Sequence, residues 1–199
     1  ANLPSHLASC LTQSTSYQVI GDPNAETNIS DWIASSCILP NSTAATTAQF
    51  ILVIGDIRFD VDYTFATGSD VVVDSMKRFV QTAGISVGVY GTSIRGCDYM
   101  WREWLVESNP SATASLEILD SEISDAVHGF RLQPESVFGV MRTQFINNRI
   151  AIRTDDWNCD NLFSMPATPL ADYYINPGIC DNIFTAPSLK PPFSGKGYS

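Results

Sequence analysis

Positive charge is scarce in this chain: 11 Lys and Arg stand against 21 Asp and Glu, a net charge of −10 over 199 residues. No Lys or Arg precedes Arg58, and the longest basic run is Lys77-Arg78. A nucleic-acid binder neutralises phosphates with a basic stripe, so direct contact with nucleic acid or an anionic membrane is not expected. Charge of either sign is thin, at 16% of residues, against a usual quarter or so. Ser, Thr, Asn and Gln carry the polar balance instead, a composition common on secreted proteins and virion exteriors. No apolar run reaches the roughly 20 residues that span a bilayer. The start, Ala1-Asn2-Leu3-Pro4, has neither a basic region nor an initiator Met and reads as processed. Among the five cysteines (Cys10, Cys37, Cys97, Cys159, Cys180) no CxxC occurs, which disfavours a zinc ribbon or a thioredoxin-type site. The two histidines, His6 and His128, are too far apart in sequence to suggest a metal site. No internal repeat is evident.

What is present is a core. Hydrophobic residues make up 44% of the chain, enough for one domain or two small ones without staples. The strongest local pattern runs from Phe50 to Phe65. Phe50 to Ile54 are apolar on both faces, as in a buried strand. After Gly55, residues Ile57, Phe59, Val61, Tyr63 and Phe65 alternate with Asp56, Arg58, Asp60, Asp62 and Thr64, the period of a half-buried strand. Gly55 is the natural place for a bend. Thr15 to Ile20, Trp32 to Leu39, Ile85 to Tyr90, Ala114 to Leu119, Phe130 to Leu132 and Phe145 to Arg153 read as further strands. Tyr99 to Val106 reads as a helix or an aromatic-rich strand. Ser69-Asp70 suits the N-cap of a helix over 71–82, ended near Gly84. From Met165 onward six prolines punctuate the chain and predict an extended tail. The fold expected is mainly β, an antiparallel β-sandwich or jelly-roll-like core with one or two short helices. It forms a single β-rich domain over 1–199, divisible into strands over 1–66 and an outer portion over 67–199 with the tail from 165.

Motifs with chemistry are few. Gly84-Ile85-Ser86-Val87-Gly88 matches the G-x-S-x-G nucleophile elbow, which needs a strand before the serine and a helix after it. Here the expected order is reversed. Asp120, Asp125 and His128 follow Ser86 in the Ser, Asp, His order of a hydrolase triad, so Ser86, Asp125 and His128 are the hydrolase alternative. The competing reading is a glycine-bounded core strand with Ser86 buried and inert. Asp56, Asp60 and Asp62 share one face of the alternating run and are candidate calcium ligands or a paired-carboxylate glycosidase site. Carboxylates on one strand rarely complete a six- to eight-oxygen shell, which favours a solvated face. Tyr99, Trp101, Trp104, Trp157, Tyr173 and Tyr174 are candidates for a sugar-binding platform, although aromatics more often build cores. Asn28-Ile29-Ser30 and Asn41-Ser42-Thr43 are sequons, which make Asn28 and Asn41 glycosylation candidates. If a disulfide forms, the pair Cys159 and Cys180 comes first and Cys10 with Cys37 second.

The stretch Asp31 to Phe65 resembles the last two shell strands in the jelly-roll capsid proteins of small non-enveloped icosahedral RNA viruses. The residues that carry the likeness are Gly55-Asp56-Ile57-Arg58-Phe59-Asp60-Val61-Asp62-Tyr63-Thr64-Phe65, preceded by Trp32 to Leu39 and a small-residue loop. The family's basic RNA-facing arm is absent, which implies a cleaved C-terminal part or a subunit whose RNA contacts lie elsewhere. The resemblance implies a structural subunit of a viral capsid, located in the virion and self-assembling into a closed shell. Its partners would be copies of itself or sibling capsid subunits, with no direct nucleic acid, no membrane and no cofactor. The alternative class is a secreted, extracellular hydrolase or carbohydrate-binding protein.

Overall fold

The computed structural model describes residues 7, 17–38, 48–155, 183–185 and 190. Strands β1 (Gln18–Ile20) and β2 (Thr27–Asn28) and helix α1 (Ile29–Ala34) open the chain. Four three-stranded turns follow. They are β3 (Phe50–Val53), β4 (Ile57–Phe59) and β5 (Tyr63–Phe65); β6 (Asp70–Val73), β7 (Arg78–Gln81) and β8 (Ser86–Tyr90); β9 (Ser93–Gly96), β10 (Trp101–Val106) and β11 (Ser115–Leu119); β12 (Glu122–Ser124), β13 (Ala126–Leu132) and β14 (Val137–Met141). Strands β15 (Gln144–Ile146), β16 (Ile150–Thr154) and β17 (Ile183–Thr185) complete the described elements.

Every pairing between these strands is parallel. Sheet 1 has the order β1-β3-β6-β9-β12-β15-β17, sheet 2 the order β16-β13-β10-β7-β4-β2, and sheet 3 the order β14-β11-β8-β5. The chain therefore winds as a β-solenoid of about four turns, each turn contributing one strand to each sheet. The antiparallel sandwich or jelly roll expected from sequence is incorrect. Period 2 marks one buried face of a strand and is blind to the direction of its neighbours.

Particular elements show where the sequence reading slipped. The run Phe50 to Phe65 is three strands separated by two corners. Ile57, Phe59, Tyr63 and Phe65 do point inward, but Val61 sits on the second corner and is exposed. The expected helix over 71–82 is the pair β6 and β7: the β-branched run Val71-Val72-Val73 prevails over the Ser69-Asp70 cap signal. The expected strand from Trp32 opens within α1: Trp32 to Ala34 are the last three residues of that helix. Its Ile29 is buried and Trp32 and Ile33 pack on the core, closing the N-terminal end of the solenoid. Asp60 at the β4–β5 corner supplies the cap, accepting hydrogen bonds from the Ser30 N–H (3.1 Å) and hydroxyl (2.6 Å).

The interior is built from ladders of like residues. Ile51, Val71, Ile94, Ile123 and Phe145 stack along sheet 1. Ile57, Phe79, Trp104, Phe130 and Ile152 stack along sheet 2. Trp104 is the hub: it is fully buried, lies stacked on Phe59 at 5.2 Å, and meets Phe79 at 5.0 Å and Phe130 at 5.8 Å. The corner from sheet 3 to sheet 1 repeats a two-residue unit that the sequence reading missed. Gly68, Gly91, Asp120 and Arg142 take positive φ (83°, 55°, 52° and 48°), and each is followed by a buried hydroxyl: Ser69, Thr92, Ser121 and Thr143. These hydroxyls add a second hydrogen bond to corner carbonyls that already accept a backbone N–H: Ser69 N–H to Ala66 O, Gly91 N–H to Leu119 O and Asp120 N–H to Met141 O. Ser69 donates to Ala66 O (2.6 Å), Ser121 to Leu119 O (2.7 Å) and Thr143 to Met141 O (3.1 Å).

Outside sheet 1, Leu7, Leu52, Ile54, Val72 and Cys97 form a second apolar cluster. Cys97 is disulfide-bonded. Cys37 is a free thiol, so the Cys10–Cys37 pairing does not form. Cys10, Cys159 and Cys180 lie outside the described residues.

The fold sets a stability test. A Cβ on Gly55 would fall 2.2 Å from Asp22 O, where the first turn rests backbone to backbone on the second. Removing the Trp104 ring leaves a large cavity. Trp104→Ala is expected to cost about 3–5 kcal/mol and Gly55→Ala about 2 kcal/mol or more, both read by urea unfolding. Losses under about 1 kcal/mol at both sites would contradict this packing.

Candidate functional site

The three outer faces differ in what they leave accessible. On sheet 1 the face is occupied by the apolar cluster and by a Tyr17–Asp70–Arg95 group, in which Asp70 takes 3.0 and 2.9 Å bonds from the Arg95 guanidinium and a 2.6 Å bond from the Tyr17 hydroxyl. The strands of sheet 3 carry no Lys or Arg. There the outward row is Thr64, Gly88, Glu117 and Gly139, and the Tyr90 ring lies over Gly88 with its hydroxyl on Glu117 at 2.7 Å.

Sheet 2 gathers the cations. Arg58, Lys77, Arg78, Arg102, Arg131, Arg149 and Arg153, seven of the chain's 11 Lys and Arg, lie on or directly beside its strands. Stacking does this. Arg131 pairs in register with Arg153, and Arg78, Glu103, His128 and Ile150 form one line across four strands. The two ends of the face are not alike. Toward the N-terminus, Arg58 pairs with Glu26 (2.6 Å) and Glu107 (2.8 Å), and Arg78 with Asp56 (3.2 Å) and Glu26 (3.6 Å). Two cations there face three carboxylates. Toward the C-terminus, Arg102, Arg131, Arg149 and Arg153 face Glu103 and Asp155. Asp155 is shared by Arg131 (2.7 Å) and Arg153 (3.4 Å). Among the described residues this half of the face carries more positive than negative charge, on a chain of net charge −10.

A β-bulge shapes its centre. The β10–β13 register shifts between Glu103 and Trp104, which lets Trp101 and Trp104 both point inward and turns Glu103 onto the outer face. Glu103 is nevertheless only 2% exposed, with His128 Nδ1 3.5 Å from one carboxylate oxygen and Arg102 Nε 3.4 Å from the other. The His128 side chain is 17% exposed, while those of Arg102 and Arg153 are 47% and 48% exposed. Burial pushes the His128 pKa below the usual value. Glu103 pulls it upward, and Arg153 and Arg149 push it further down. At neutral pH the centre is thus a neutral imidazole over a buried carboxylate, ringed by exposed guanidinium groups. That arrangement can take an anionic group from solvent through charge-assisted hydrogen bonds.

The hydrolase alternative is not assembled. Ser86 is exposed on β8 of sheet 3, contrary to the expectation that it is buried, and its N–H donates to Asp62 (2.8 Å). Asp125 is buried at the corner between sheets 1 and 2, where Lys190 Nζ donates to it at 2.8 Å and also to the carbonyls of Gly96 and Cys97. Burial raises the Asp125 pKa, and the Lys190 charge opposes that rise. His128 is on sheet 2, so the three residues lie in three different parts of the fold. Asp120 makes a two-bond ion pair with Arg142 (2.6 and 2.7 Å).

Asp56, Asp60 and Asp62 do not form a calcium site either. One pairs with Arg78, one caps α1 and one holds β8, and no group of three potential metal ligands occurs among the described residues. Trp101 and Trp104 are fully buried and cannot form a sugar platform; Tyr99 is 44% exposed. Trp157, Tyr173, Tyr174, His6 and Asn41 lie outside the described residues. Asn28 is exposed just before α1, and its side chain makes no cap bond.

The cationic half-face was not legible as a run, because Arg102, Arg131 and Arg153 are more than 20 residues apart. Its only sequence signal is that the Arg residues concentrate between 95 and 153. Compared with known protein families, curated proteins and solved structures, the chain matches none.

The Glu103–His128 contact has a direct test. Because the Glu103 charge raises the His128 pKa, Glu103→Gln is expected to lower it further, seen as an NMR titration of the imidazole moved to more acidic pH. An upward move would show that the two groups are not in contact.

Proposed function

We propose that this protein is a binding module that holds an acidic oligosaccharide against the C-terminal half of sheet 2. The observation that carries the reading is the local excess of guanidinium groups around Arg102, Arg131, Arg149 and Arg153, on a chain otherwise strongly acidic. Charge density selects the ligand class. A nucleic acid presents a phosphate every few ångströms and needs many cations to displace its counterions. A small positive patch on a chain of charge −10 repels such a polymer while attracting one with sparse carboxylates or sulfates. Strand spacing selects the scale. Neighbouring strands lie about 4.8 Å apart, so β10, β13 and β16 offer cations over about 10 Å, the reach of a two- or three-sugar segment. Hydrogen bonds from guanidinium to carboxylate supply the contacts.

Arg102→Ala and Arg153→Ala are each expected to weaken binding of an acidic tetrasaccharide about tenfold, since each removes one charge-assisted contact worth roughly 1.5 kcal/mol. Arg58→Ala, in the acidic half, should leave it within about twofold. Isothermal titration calorimetry checks this, with duplex DNA as a second ligand. Tight binding of DNA, or equal losses at all three arginines, would count against the proposal.

A second reading keeps the structural-subunit function. Strands β14 and β16 end sheets 3 and 2, and no strand among the described residues pairs with their outer edges. Such edges are templates for another chain. On this reading the protein assembles end to end or within a larger shell, and light scattering finds a large particle. A monomer of about 22 kDa at physiological salt removes it.

A further inference from the structure

We propose that ligand binding on this face is coupled to protonation of His128, so that the imidazole is the one switchable cation among fixed ones. The inference rests on the reading of the face as an anion-binding surface, and concerns how that surface is regulated.

The geometry makes His128 the centre of the cationic half-face. On one side, β10 brings Glu103 to 3.5 Å from its Nδ1 and places Arg102 beside Glu103. On the other side, β16 presents Ile150 in register and Arg149 and Arg153 around it. Its own strand β13 carries Arg131, and Asp155 joins Arg131 to Arg153. Arg78 lies on the far side of Glu103 along the same line. Around His128 there are therefore four guanidinium groups, those of Arg102, Arg131, Arg149 and Arg153, and two carboxylates, those of Glu103 and Asp155, while Arg78 is paired with Asp56 and Glu26.

In the free protein a charged imidazole is unfavourable there. It is largely removed from water, and it has Arg149 and Arg153 for neighbours; the single buried carboxylate of Glu103 offsets only part of this. Burial and the two arginines hold the His128 pKa below 6.5. A bound carboxylate or sulfate changes the balance. It places a negative charge among the arginines, screens them from the ring and gives imidazolium a partner, so the His128 pKa rises in the complex.

The linkage fixes the sign. Between the His128 pKa of the free protein and the higher one of the complex, the complex holds more protons than the free protein, so binding takes up a proton and strengthens as pH falls through that window. Above the window both forms are neutral at His128 and affinity is flat. Below it both are protonated and affinity is flat again at its higher level. Arginine cannot give this response, because it stays charged throughout.

The experiment is calorimetric titration of the wild-type chain with two tetrasaccharide probes, one bearing carboxylates and one bearing sulfates, at pH 5.0 and 7.5. Each titration is run in two buffers of different ionisation enthalpy. The sulfated probe has no titrating group in this range, so any pH dependence it shows belongs to the protein. Affinity is expected to rise about tenfold or less between pH 7.5 and 5.0, with uptake of up to one proton at intermediate pH. His128→Gln should bind both probes with the pH 7.5 affinity at both pH values. The NMR titration of His128 in the wild-type chain, without and with the sulfated probe, needs no variant, and its pKa should move up on binding. Wild-type binding with no proton uptake, an unmoved His128 pKa, or a pH response that persists in a folded His128→Gln variant overturns the coupling and leaves the anion-binding reading standing. Failure of the wild-type chain to bind either probe at both pH values overturns the anion-binding reading, and the coupling with it.

Discussion

Parallel, in-register stacking of strands is the constraint on which the rest of this molecule depends. Each residue in a turn sits about 4.8 Å from its counterpart in the next. A side chain chosen for one turn therefore has to suit the same position in its neighbours. Inward positions must be apolar and fill the interior, hence the column Ile57, Phe79, Trp104, Phe130 and Ile152. Corner positions bury a small hydroxyl that bonds the nearby corner carbonyls, hence the column Ser69, Thr92, Ser121 and Thr143. Outward positions are free of both demands. That freedom is why charge accumulates there in columns, with Arg131 beside Arg153.

The ends of the stack are handled differently from its middle. At the N-terminal end α1 places Ile29, Trp32 and Ile33 over the core. The close approach of Gly21 and Gly55 seats the first turn on the second, in a space that admits no side chain. The ion pair between Lys190 and buried Asp125 ties a residue far along the chain to the corner between sheets 1 and 2. A buried carboxylate beside an ammonium and two carbonyl-oxygen acceptors for that ammonium is a structural clasp.

Local structure was legible where burial alone decides it. Phe50 to Ile54, Ile57, Phe59, Tyr63 and Phe65 are core, as their alternation implies. Direction was not legible, because parallel and antiparallel strands share the same side-chain period. The stretch Asp31 to Phe65 is accordingly not a pair of jelly-roll strands: it includes part of α1 and three strands on three different sheets. The corner repeat was hidden because Gly68 and Gly91 give way to Asp120 and Arg142 at the same positive-φ position, with unequal spacing of 23, 29 and 22 residues. Trp101 and Trp104, candidates for a sugar platform, are both core, and the register shift between Glu103 and Trp104 that accompanies this was not legible in the sequence. Of the candidate site only His128 stood out in the sequence, and it did so for a triad it does not join. Its true neighbours, Glu103, Arg149 and Arg153, are brought to it by pairing across β10, β13 and β16.

The face of sheet 2 thus combines two scales of electrostatics. The acidic chain as a whole discourages dense polyanions, and the local group of arginines around His128 attracts a sparse one. Hydrogen exchange with and without an acidic tetrasaccharide tests this most directly, because it locates the ligand without altering the protein. The account predicts added protection confined to residues 101–106, 126–132 and 149–154, with none on sheet 3 over 86–90 and 115–119. Protection centred on sheet 3, or no change anywhere at saturating ligand, would contradict it.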